Sequence, residues 1–478
     1  MSNSPPHYDQ AKWTSQSVYE PLLSEKNMTE VSLDDVPLPP NLKRSSLTLP
    51  SLSEPELARH YTRLSQMTYG VDSGPYLLGS CTMKYNPKFT EDVAVLPGCS
   101  IHPDRAPHTI QGTLEILYTL QEHLATIGGM DAVTLQPPAG AAGEFTGILI
   151  IKAFHESNGD FSRNEIIIPE SAHGTNPASA ALGGYKTIEI PSNEQGTVNI
   201  DALQAALSEN TAALMLTNPN TLGLFELEIQ LIASMVHNAG GLLYYDGANL
   251  NALLGRSRPR DMGFDIMHYN VHKTFATPHG GGGPGAGPVG VVSKLESFLP
   301  APIVIKTKSG FDLSTPKNTI GKVHGFYGNW LCLVKALAYI LRLGDSGLLD
   351  ASAKAVLNAN YLGSKIQYEI PFRPFYHEFV ASSGDQDAAE VAKRLLDYGV
   401  HPPTTKWPLI VPQALLVEPT ESENKSTLDQ IAASFNAVLN EDHSTLKSAP
   451  NSTASARIDQ TTAARSPILS WHALDPSL

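Results

Sequence analysis

The sequence predicts an α/β fold with a mainly parallel sheet, followed by a smaller C-terminal α+β domain. Short apolar runs at 165–168, 212–216 and 241–245 each lead into a polar or glycine-containing cluster, and segments of helical length separate these runs. Strands that alternate with helices in this way are typical of parallel sheets joined by crossover helices. The polar clusters are therefore expected at the C-terminal edge of the sheet, where α/β proteins bind their ligands.

The elements are predicted in order along the chain. Residues 1–54 are rich in Ser, Pro and charged residues, so they predict an extended arm that either wraps a neighbouring chain or has no fixed structure. A helix follows at 55–64 with Ser53 as its N-cap. Further elements are expected at 109–126 (helix), 133–136 (strand), 145–154, 177–182, 201–208, 228–239 and 331–343 (helices). The predicted domains are a large domain at 55–310, a connecting helix and small domain at 311–440, and a tail at 441–478.

Composition and charge exclude several classes of function. The 478 residues carry a net charge of −14 with no basic block, so nucleic acid and anionic membranes are poor partners. Three widely spaced cysteines argue against a disulfide framework or a zinc site, and no metal is predicted. No apolar run approaches the roughly 20 residues needed to span a bilayer. Acidic residues near the N-terminus do not suit a transit peptide, so the expected location is the cytoplasm.

An acid and a lysine are the residues around which the sequence is organised. Asp246 ends the apolar run 241–245, and Lys273 precedes a glycine-dense stretch at 280–287. On neighbouring strands they would hold pyridoxal phosphate from two sides, because a lysine amine binds its aldehyde and a carboxylate keeps its ring nitrogen protonated. Each also has a structural interpretation. Asp246 would cap a turn through Gly247, and Lys273 would be a solvated loop lysine.

A small-residue turn is the predicted phosphate site. Residues 137–144 read PPAGAAGE and connect the predicted strand at 133–136 to an apolar helix. The free N–H groups at such a helix N-terminus bind phosphate, and small side chains allow a close approach. Tight strand-to-helix turns require small residues whether or not they bind phosphate, so this pattern alone does not establish a phosphate site.

Two further loops contain candidate site residues. The cluster TNPNT at 217–221 follows a strand, and its polar side chains are candidates to reach the ring hydroxyl of the cofactor or the substrate. The polar loop at 79–87 suits a pocket wall, and Cys81 in it is either redox-sensitive or simply a small buried residue. The stretch 280–287 fits GxGxxG poorly because of Pro284 and Pro288. It is better interpreted as a flexible turn that makes room for a bulky second substrate.

Several motifs together resemble the P-protein of the glycine cleavage system, which is glycine decarboxylase, in the second subunit of its split form. The resemblance covers about 57–429, with a weaker similarity to the end. The motifs are LGSCTMKYNP (78–87), SAHGTNP (171–177), TNPNTLG (217–223), YDGANLNA (245–252), DMGFD (261–265), HKTF (272–275) and PHGGGGPG (278–285).

The resemblance implies a fold-type-I pyridoxal-phosphate enzyme, with residue roles carried by the matching motifs. Lys273 would bind the cofactor, Asp246 would face the ring nitrogen, and His173 and Ala248 would sandwich the ring. The further cofactor contacts implied are Ala141, Ala142, Gly143, Asn218, Thr221 and Thr274. The chain departs from the family in three places. It has Ala142 where the family usually has a His, a shorter segment before His377, and Lys406-Trp407 in place of an aromatic pair.

The implied reaction is that of a glycine dehydrogenase (aminomethyl-transferring). Glycine loses CO2, and its aminomethyl group passes to the lipoyl arm of an H-protein. The implied partner is a first subunit, in a heterotetramer of two copies of each subunit. The alternatives are another fold-type-I enzyme, such as a cysteine desulfurase or an amino-acid decarboxylase, and an inactive scaffold subunit. A scaffold would be expected to lack Lys273 or Asp246, and both are present.

Overall fold

The structure is a computed structural model that describes residues 20–23, 26, 37–42, 52–280, 285–454 and 456–469. A seven-stranded sheet lies at the centre of its larger part, in the order β1-β7-β6-β5-β4-β2-β3. The strands are β1 (Ala132–Thr134), β2 (Glu165–Pro169), β3 (Lys186–Ile190), β4 (Thr211–Leu216), β5 (Leu242–Tyr245), β6 (Ile266–His268) and β7 (Val289–Val291).

The sheet is mixed but mostly parallel. Strands β2 to β6 pair in parallel, while β7 runs antiparallel between β6 and β1. β4 and β5 are buried along their whole length, as expected for apolar strands covered by helices on both faces. The predicted α/β fold is confirmed, and the C-terminal ends of β2, β4, β5 and β6 meet at one edge.

Helices alternate with these strands. They are α1 (Glu54–Met67), α2 (Phe89–Ala94), α3 (Gln111–Gly128), α4 (Gly140–Ser157), α5 (Thr175–Leu182), α6 (Ile200–Ala206) and α7 (Ile229–Asn238). The predicted N-cap of α1 is confirmed, since Ser53 and Glu56 form a reciprocal capping box. α4 begins at Gly140 instead of at Phe145, because the small residues of the predicted turn already adopt helical geometry. They form the first turn of the helix.

The C-terminal part of the chain forms most of a second hydrophobic core. It is built around a three-stranded antiparallel sheet of β10 (Phe379–Ser382), β12 (Ala414–Val417) and β11 (Thr404–Thr405), after a hairpin of β8 (Ile303–Thr307) and β9 (Gly310–Ser314). Its helices are α9 (Ala388–Asp397), α10 (Lys425–Leu439) and α11 (His443–Ser448), and α12 (Gln460–Arg465) follows in the tail. The domain boundaries predicted from the sequence stay a prediction.

One long helix connects the two cores. α8 (Trp330–Lys365) contains a non-helical residue at Gly344, with φ of 59° and ψ of −174°. The predicted helix at 331–343 therefore ends where the break lies, but the chain resumes the helix at once. Ala336 packs in the first core and Ala359 in the second.

Only short pieces of the predicted N-terminal arm belong to the described residues. Within them, the buried carboxylate of Glu20 accepts hydrogen bonds from Lys26 and Arg63 and contacts His60 on α1. This part of the arm is thus held by ion pairs to the first helix. Across the described ranges, no helix has both the length and the apolar character that crossing a bilayer requires.

Candidate active site

Asp246 lies at the C-terminal end of β5, at the centre of the sheet edge. Its backbone N–H donates to Leu216 O at the end of β4, 2.9 Å away, so the strand pairing itself fixes its position. The side chain is 1 % exposed. Its carboxylate accepts hydrogen bonds from Asn176 Nδ2 at 2.9 Å and from the backbone N–H of Ala248 at 3.0 Å.

Asp246 is charged at neutral pH despite its burial. Burial opposes ionisation, but the His268 and His173 rings, which are charged in acid, the Asn176 amide and the Lys273 amine outweigh it and lower the pKa of Asp246. Burial lowers the pKa of His268 to about 4, so that ring is itself neutral. It is oriented by a 2.8 Å hydrogen bond between its Nδ1 and the Tyr244 hydroxyl, and its Nε2 lies 3.5 Å from Asp246 Oδ1.

Lys273 lies in the turn after β6, the strand next to β5. Its side chain is 8 % exposed, and its Nζ donates to the carbonyl oxygen of Ser80 at 2.8 Å. The positive charge of this amine acts on both Asp246 and His173. The acid and the lysine are therefore close enough to interact electrostatically, and Lys273 is not a solvated loop lysine.

His173 follows β2 in a turn at the same edge. Its Nδ1 is hydrogen-bonded to the Thr175 hydroxyl at 2.8 Å, and the edge of the Trp407 ring packs against it at a centroid distance of 5.7 Å. Burial lowers the pKa of His173, so the ring is neutral at pH 7. A neutral, oriented imidazole at this place is able to stack on a flat ligand.

The first turn of α4 forms one wall of the site. Ala139 caps it with an extended conformation, Ala141 is exposed and Ala142 is partly buried. The first N–H groups of a helix lack intrahelical partners and bind anions. A Cβ on Gly140 would collide with the Asn270 side chain, and one on Gly143 would lie 2.7 Å from Gly287 O. Glycine at both positions thus allows the turn to pack against β6 and β7.

Several buried polar atoms in the described part of the chain, most of them close to Lys273 in the sequence, lack hydrogen-bond partners. Within the described residues, Thr217 Oγ1, Asn270 Oδ1 and Thr277 Oγ1 have no hydrogen-bond partner, and neither do His272 Nδ1 and His279 Nε2. Such atoms are costly to bury unless a ligand satisfies them. Together with a charged acid, a lysine and free helix N–H groups, they fit a polar, anionic, aromatic cofactor such as pyridoxal phosphate. Thr217, His272 and His279 belong to motifs quoted from the sequence, whereas Asn270 and Thr277 do not.

Four other residues that the sequence predicts to contact the cofactor have identifiable neighbours in the structure. Ala248 is partly buried beside Asp246, and Thr274 Oγ1 accepts the backbone N–H of Leu250 at 2.8 Å, which ties the Lys273 turn to the Asp246 segment. Asn218 Oδ1 accepts the backbone N–H of Glu226, and Thr221 Oγ1 donates to Ser171 O. The side chains of Asn218 and Thr221 are thus engaged in holding loops, and their direct contact with a cofactor stays a prediction.

The chain is similar to curated proteins over nearly its whole length. It is 68% identical over 472 residues to a probable glycine dehydrogenase (decarboxylating) subunit 2 of Halobacterium salinarum, covering 98% of this chain and 100% of the relative. The chain belongs to the glycine dehydrogenase (decarboxylating) subunit 2 family. A member from Pyrococcus abyssi is 52% identical, covering 97% of each chain, and one from Thermoplasma volcanium is 53% identical, covering 95% and 99%.

A family model agrees with this membership of the subunit 2 family, and solved structures share the fold. Residues 351–458 match the glycine dehydrogenase C-terminal domain, and residues 149–282 match aminotransferase class-V. A crystal structure of glycine decarboxylase (P-protein) in inhibitor-bound form has a TM-score of 0.70 at 21% identity, covering 84% of this chain and 93% of that chain. A cysteine desulfurase from Escherichia coli has a TM-score of 0.58 at 16% identity, covering 81% and 99%. At these identities the two structures establish the fold alone.

In this subunit 2 chain, a buried acid just after the first turn of α4 is hydrogen-bonded to the same amide as Asp246. Glu144 accepts hydrogen bonds from Thr175 Oγ1 at 2.7 Å and from Asn176 Nδ2 and Ser179 Oγ at 3.1 Å each. Burial and the nearby charge of Asp246 raise the pKa of Glu144 to about 7. In the sequence, Glu144 is marked only as the single acid within a segment of otherwise small and apolar residues.

The loop at 79–84 lies against Lys273, as expected for a pocket wall. Ser80 and Thr82 in it have positive φ angles of 65° and 50°, which non-glycine residues rarely adopt. Burial raises the pKa of the Cys81 thiol, which favours the unreactive thiol over the redox-sensitive alternative. Of the predicted flexible turn at 280–287, residues 281–284 lie outside the described ones.

Proposed function

We propose that this chain is the pyridoxal-phosphate-binding subunit of glycine dehydrogenase (decarboxylating). It removes CO2 from glycine and passes the aminomethyl group to the lipoyl arm of an H-protein. Membership of the subunit 2 family supports this proposal. The observation that carries it is the pairing of Asp246 and Lys273 at the ends of adjacent strands, in one pocket with the first turn of α4.

The residues of the pocket have separate tasks. Lys273 would hold the cofactor covalently, and His173 and Ala248 would lie on the two faces of its ring. The N–H groups of Ala141 and Ala142 would bind its phosphate, whereas the Gly143 N–H already donates to Ala139 O at 2.9 Å. When bound, pyridoxal phosphate supplies an electron sink for the pair released as CO2 leaves. Asp246 holds a proton at the ring nitrogen, because its carboxylate is charged and faces the site.

The two central residues of the site are shielded from solvent. Lys273 and Asp246 are almost wholly removed from solvent, so a proton held between the amine and its partners is protected from exchange with bulk water. Ser80 O orients the Lys273 amine by accepting its hydrogen bond. These contacts bring the amine to a defined place from which it accepts and returns protons.

A first subunit is the proposed partner, in a heterotetramer of two copies of each chain. The name of the family, subunit 2, supports a split enzyme, and the chain has one set of site motifs. We also propose a cytoplasmic location, which the three free cysteines support because thiols persist in reducing compartments.

The test combines exchange kinetics with chemical mapping. The chain is expressed alone and with its first subunit, and glycine-dependent exchange of CO2 is measured with lipoylated H-protein and with a panel of other amino acids. We expect exchange with glycine only, requiring both subunits, and its loss in Lys273→Ala. Borohydride reduction should attach the cofactor to Lys273. Exchange on another amino acid, or label on another lysine, would contradict the proposal.

A further inference from the structure

The carbonyl group of Ser80 is held in an unusual conformation where it meets the Lys273 amine. Its oxygen accepts the Lys273 hydrogen bond at 2.8 Å, while its own backbone has a φ of 65°. A serine in this left-handed region is strained by about 1 kcal/mol or more. Such a conformation persists only where surrounding contacts enforce it, so the contacts of the Ser80–Thr82 turn identify what orients the carbonyl.

Two carboxyl groups from the second core hold this turn. Glu378 Oε2 accepts the backbone N–H of Ser80 at 2.7 Å, and Glu418 accepts the backbone N–H of Thr82 at 3.0 Å and its hydroxyl at 2.8 Å. Glu378 directly precedes β10 and Glu418 directly follows β12, and these strands are paired at Phe379 and Val417. The small antiparallel sheet therefore presents both acids together to the turn.

The two acids are too close and too buried to be charged together. Glu378 is 4 % exposed and Glu418 0 %, and oxygens of the two groups lie within 4.8 Å of each other and of a His377 ring nitrogen. Burial raises the pKa of Glu418 to about 7 and that of Glu378 well above its usual range. The other titratable groups that face them are Lys273 and Cys81. Burial thus disfavours a charge on Glu378, which acts on Ser80 as a hydrogen-bond acceptor.

We propose that Glu378 is a positioning residue for Lys273, which it serves by fixing the Ser80 carbonyl as the acceptor of the lysine amine. This inference rests on the proposed function, because it concerns the state in which the substrate amine has displaced Lys273 from the cofactor. The displaced amine then has a fixed partner and stays within reach for its return. The contact requires an acceptor on Glu378 but no charge.

Two substitutions of Glu378 distinguish a requirement for a hydrogen-bond acceptor from a requirement for negative charge. Glu378→Gln keeps an acceptor oxygen at the same place, whereas Glu378→Met keeps the shape and removes the acceptor. The matched control is Glu226, which is 4 % exposed and accepts a backbone N–H from Val198 at 2.8 Å. Glu226→Met removes an equivalent buried acceptor without touching the Ser80–Thr82 turn, so it measures the effect of lost stability alone.

The main readout is the acetylation rate of Lys273 in the cofactor-free protein, obtained by peptide mapping after treatment with acetic anhydride. The hydrogen bond to Ser80 O occupies and orients the Lys273 amine, so its loss in Glu378→Met should speed acetylation on the order of tenfold. Glu378→Gln and Glu226→Met should stay within about twofold of wild type. In the assembled holoenzyme, kcat should fall in Glu378→Met with little change in KM for glycine and should be restored in Glu378→Gln.

The outcomes distinguish this inference from the proposed function. Borohydride mapping of the wild-type holoenzyme comes first, and absence of label on Lys273 would overturn the proposed function and the inference with it. If Lys273 is labelled but Glu378→Met acetylates at the wild-type rate, the inference alone fails. It also fails if Glu378→Gln behaves like Glu378→Met, because charge and not an acceptor would then be required.

Discussion

Glu144 and Asp246 share one side-chain amide: Asn176 Nδ2 donates to Glu144 Oε2 at 3.1 Å and to Asp246 Oδ2 at 2.9 Å. The two buried carboxyl groups titrate in different pH ranges, because the pKa of Glu144 is raised to about 7 while that of Asp246 is lowered. Paired acids with separated pKa values are a mark of functional sites. Near pH 7 Glu144 is therefore only partly ionised, whereas Asp246 keeps its charge.

Asp246→Asn should keep the cofactor and lose the reaction. The substitution nearly preserves shape, but its single oxygen keeps only one of the two contacts with Asn176 Nδ2 and the Ala248 N–H, and it removes the charge that would keep the ring nitrogen protonated. We expect glycine-dependent CO2 exchange to fall on the order of 100-fold, with the absorbance of bound cofactor retained. A normal exchange rate with cofactor bound would show that Asp246 has no role at the ring nitrogen.

Glu144→Gln should change the pH dependence of stability. In the unfolded chain Glu144 titrates near 4.5, and in the fold near 7, so its contribution is full below about 4.5 and is lost as the pH rises through about 7. The shift corresponds to about 3 kcal/mol, and glutamine does not titrate. Relative to wild type, the cofactor-free variant should therefore gain stability between about pH 5 and about pH 8 in urea unfolding. The same difference in unfolding free energy at both pH values would contradict this.

Gly287→Ala should weaken cofactor binding through the first turn of α4. Its Cβ would collide with the backbone carbonyl of Ala139 and lie 3.2 Å from Gly140 N, so the turn must move. We expect cofactor affinity to fall roughly tenfold, which corresponds to about 1.4 kcal/mol, in a titration of the cofactor-free protein. Gly112→Ala is the matched control, since no atom lies within 4 Å of its Cβ. Equal affinity in the two variants would argue against the phosphate turn.

Lys84 and Glu421 should behave as a buried pair. Lys84 Nζ lies 2.6 Å from Glu421 Oε1 and also donates to the Tyr339 hydroxyl at 3.1 Å. Burial opposes the charge on Lys84, but the Glu421 charge outweighs it and raises the pKa of Lys84. Lys84→Met leaves Glu421 unpaired and should cost about 3 kcal/mol in urea unfolding. Adding Glu421→Leu should recover most of this loss. Additive losses in the double variant would show that the two residues act independently.

The parts of the fold that local pattern determines were predicted well from the sequence. The buried run 241–245 and the acid after it became β5 and Asp246, because a short apolar run has few alternatives to a central strand. The start of α4 was misplaced, since alanine and glycine fit both a turn and a helix. The break near Gly344 was located, but the continuation of α8 beyond it was not.

The contact between Ser80 and Glu378 could not be predicted from the sequence, for a different reason. Ser80 and Glu378 lie 298 residues apart, and nothing in their local sequence indicates that they meet. The positive φ of Ser80 is also imposed by tertiary contacts, because serine has no intrinsic preference for it. The resemblance named the segments that contain Glu378 and Cys81, but the shared role of Glu378 and Glu418 required coordinates.

The break at Gly344 changes the course of α8 at a place that only glycine suits. No atom lies within 4 Å of the position of its absent Cβ, but its backbone angles are ones that other residues rarely adopt. The first core extends across the break, since Ala336 and Leu348 both pack in it, and Ala359 then reaches the second core. Any other residue at position 344 would therefore strain the helix that joins the core around Asp246 to the core that carries Glu378 and Glu418.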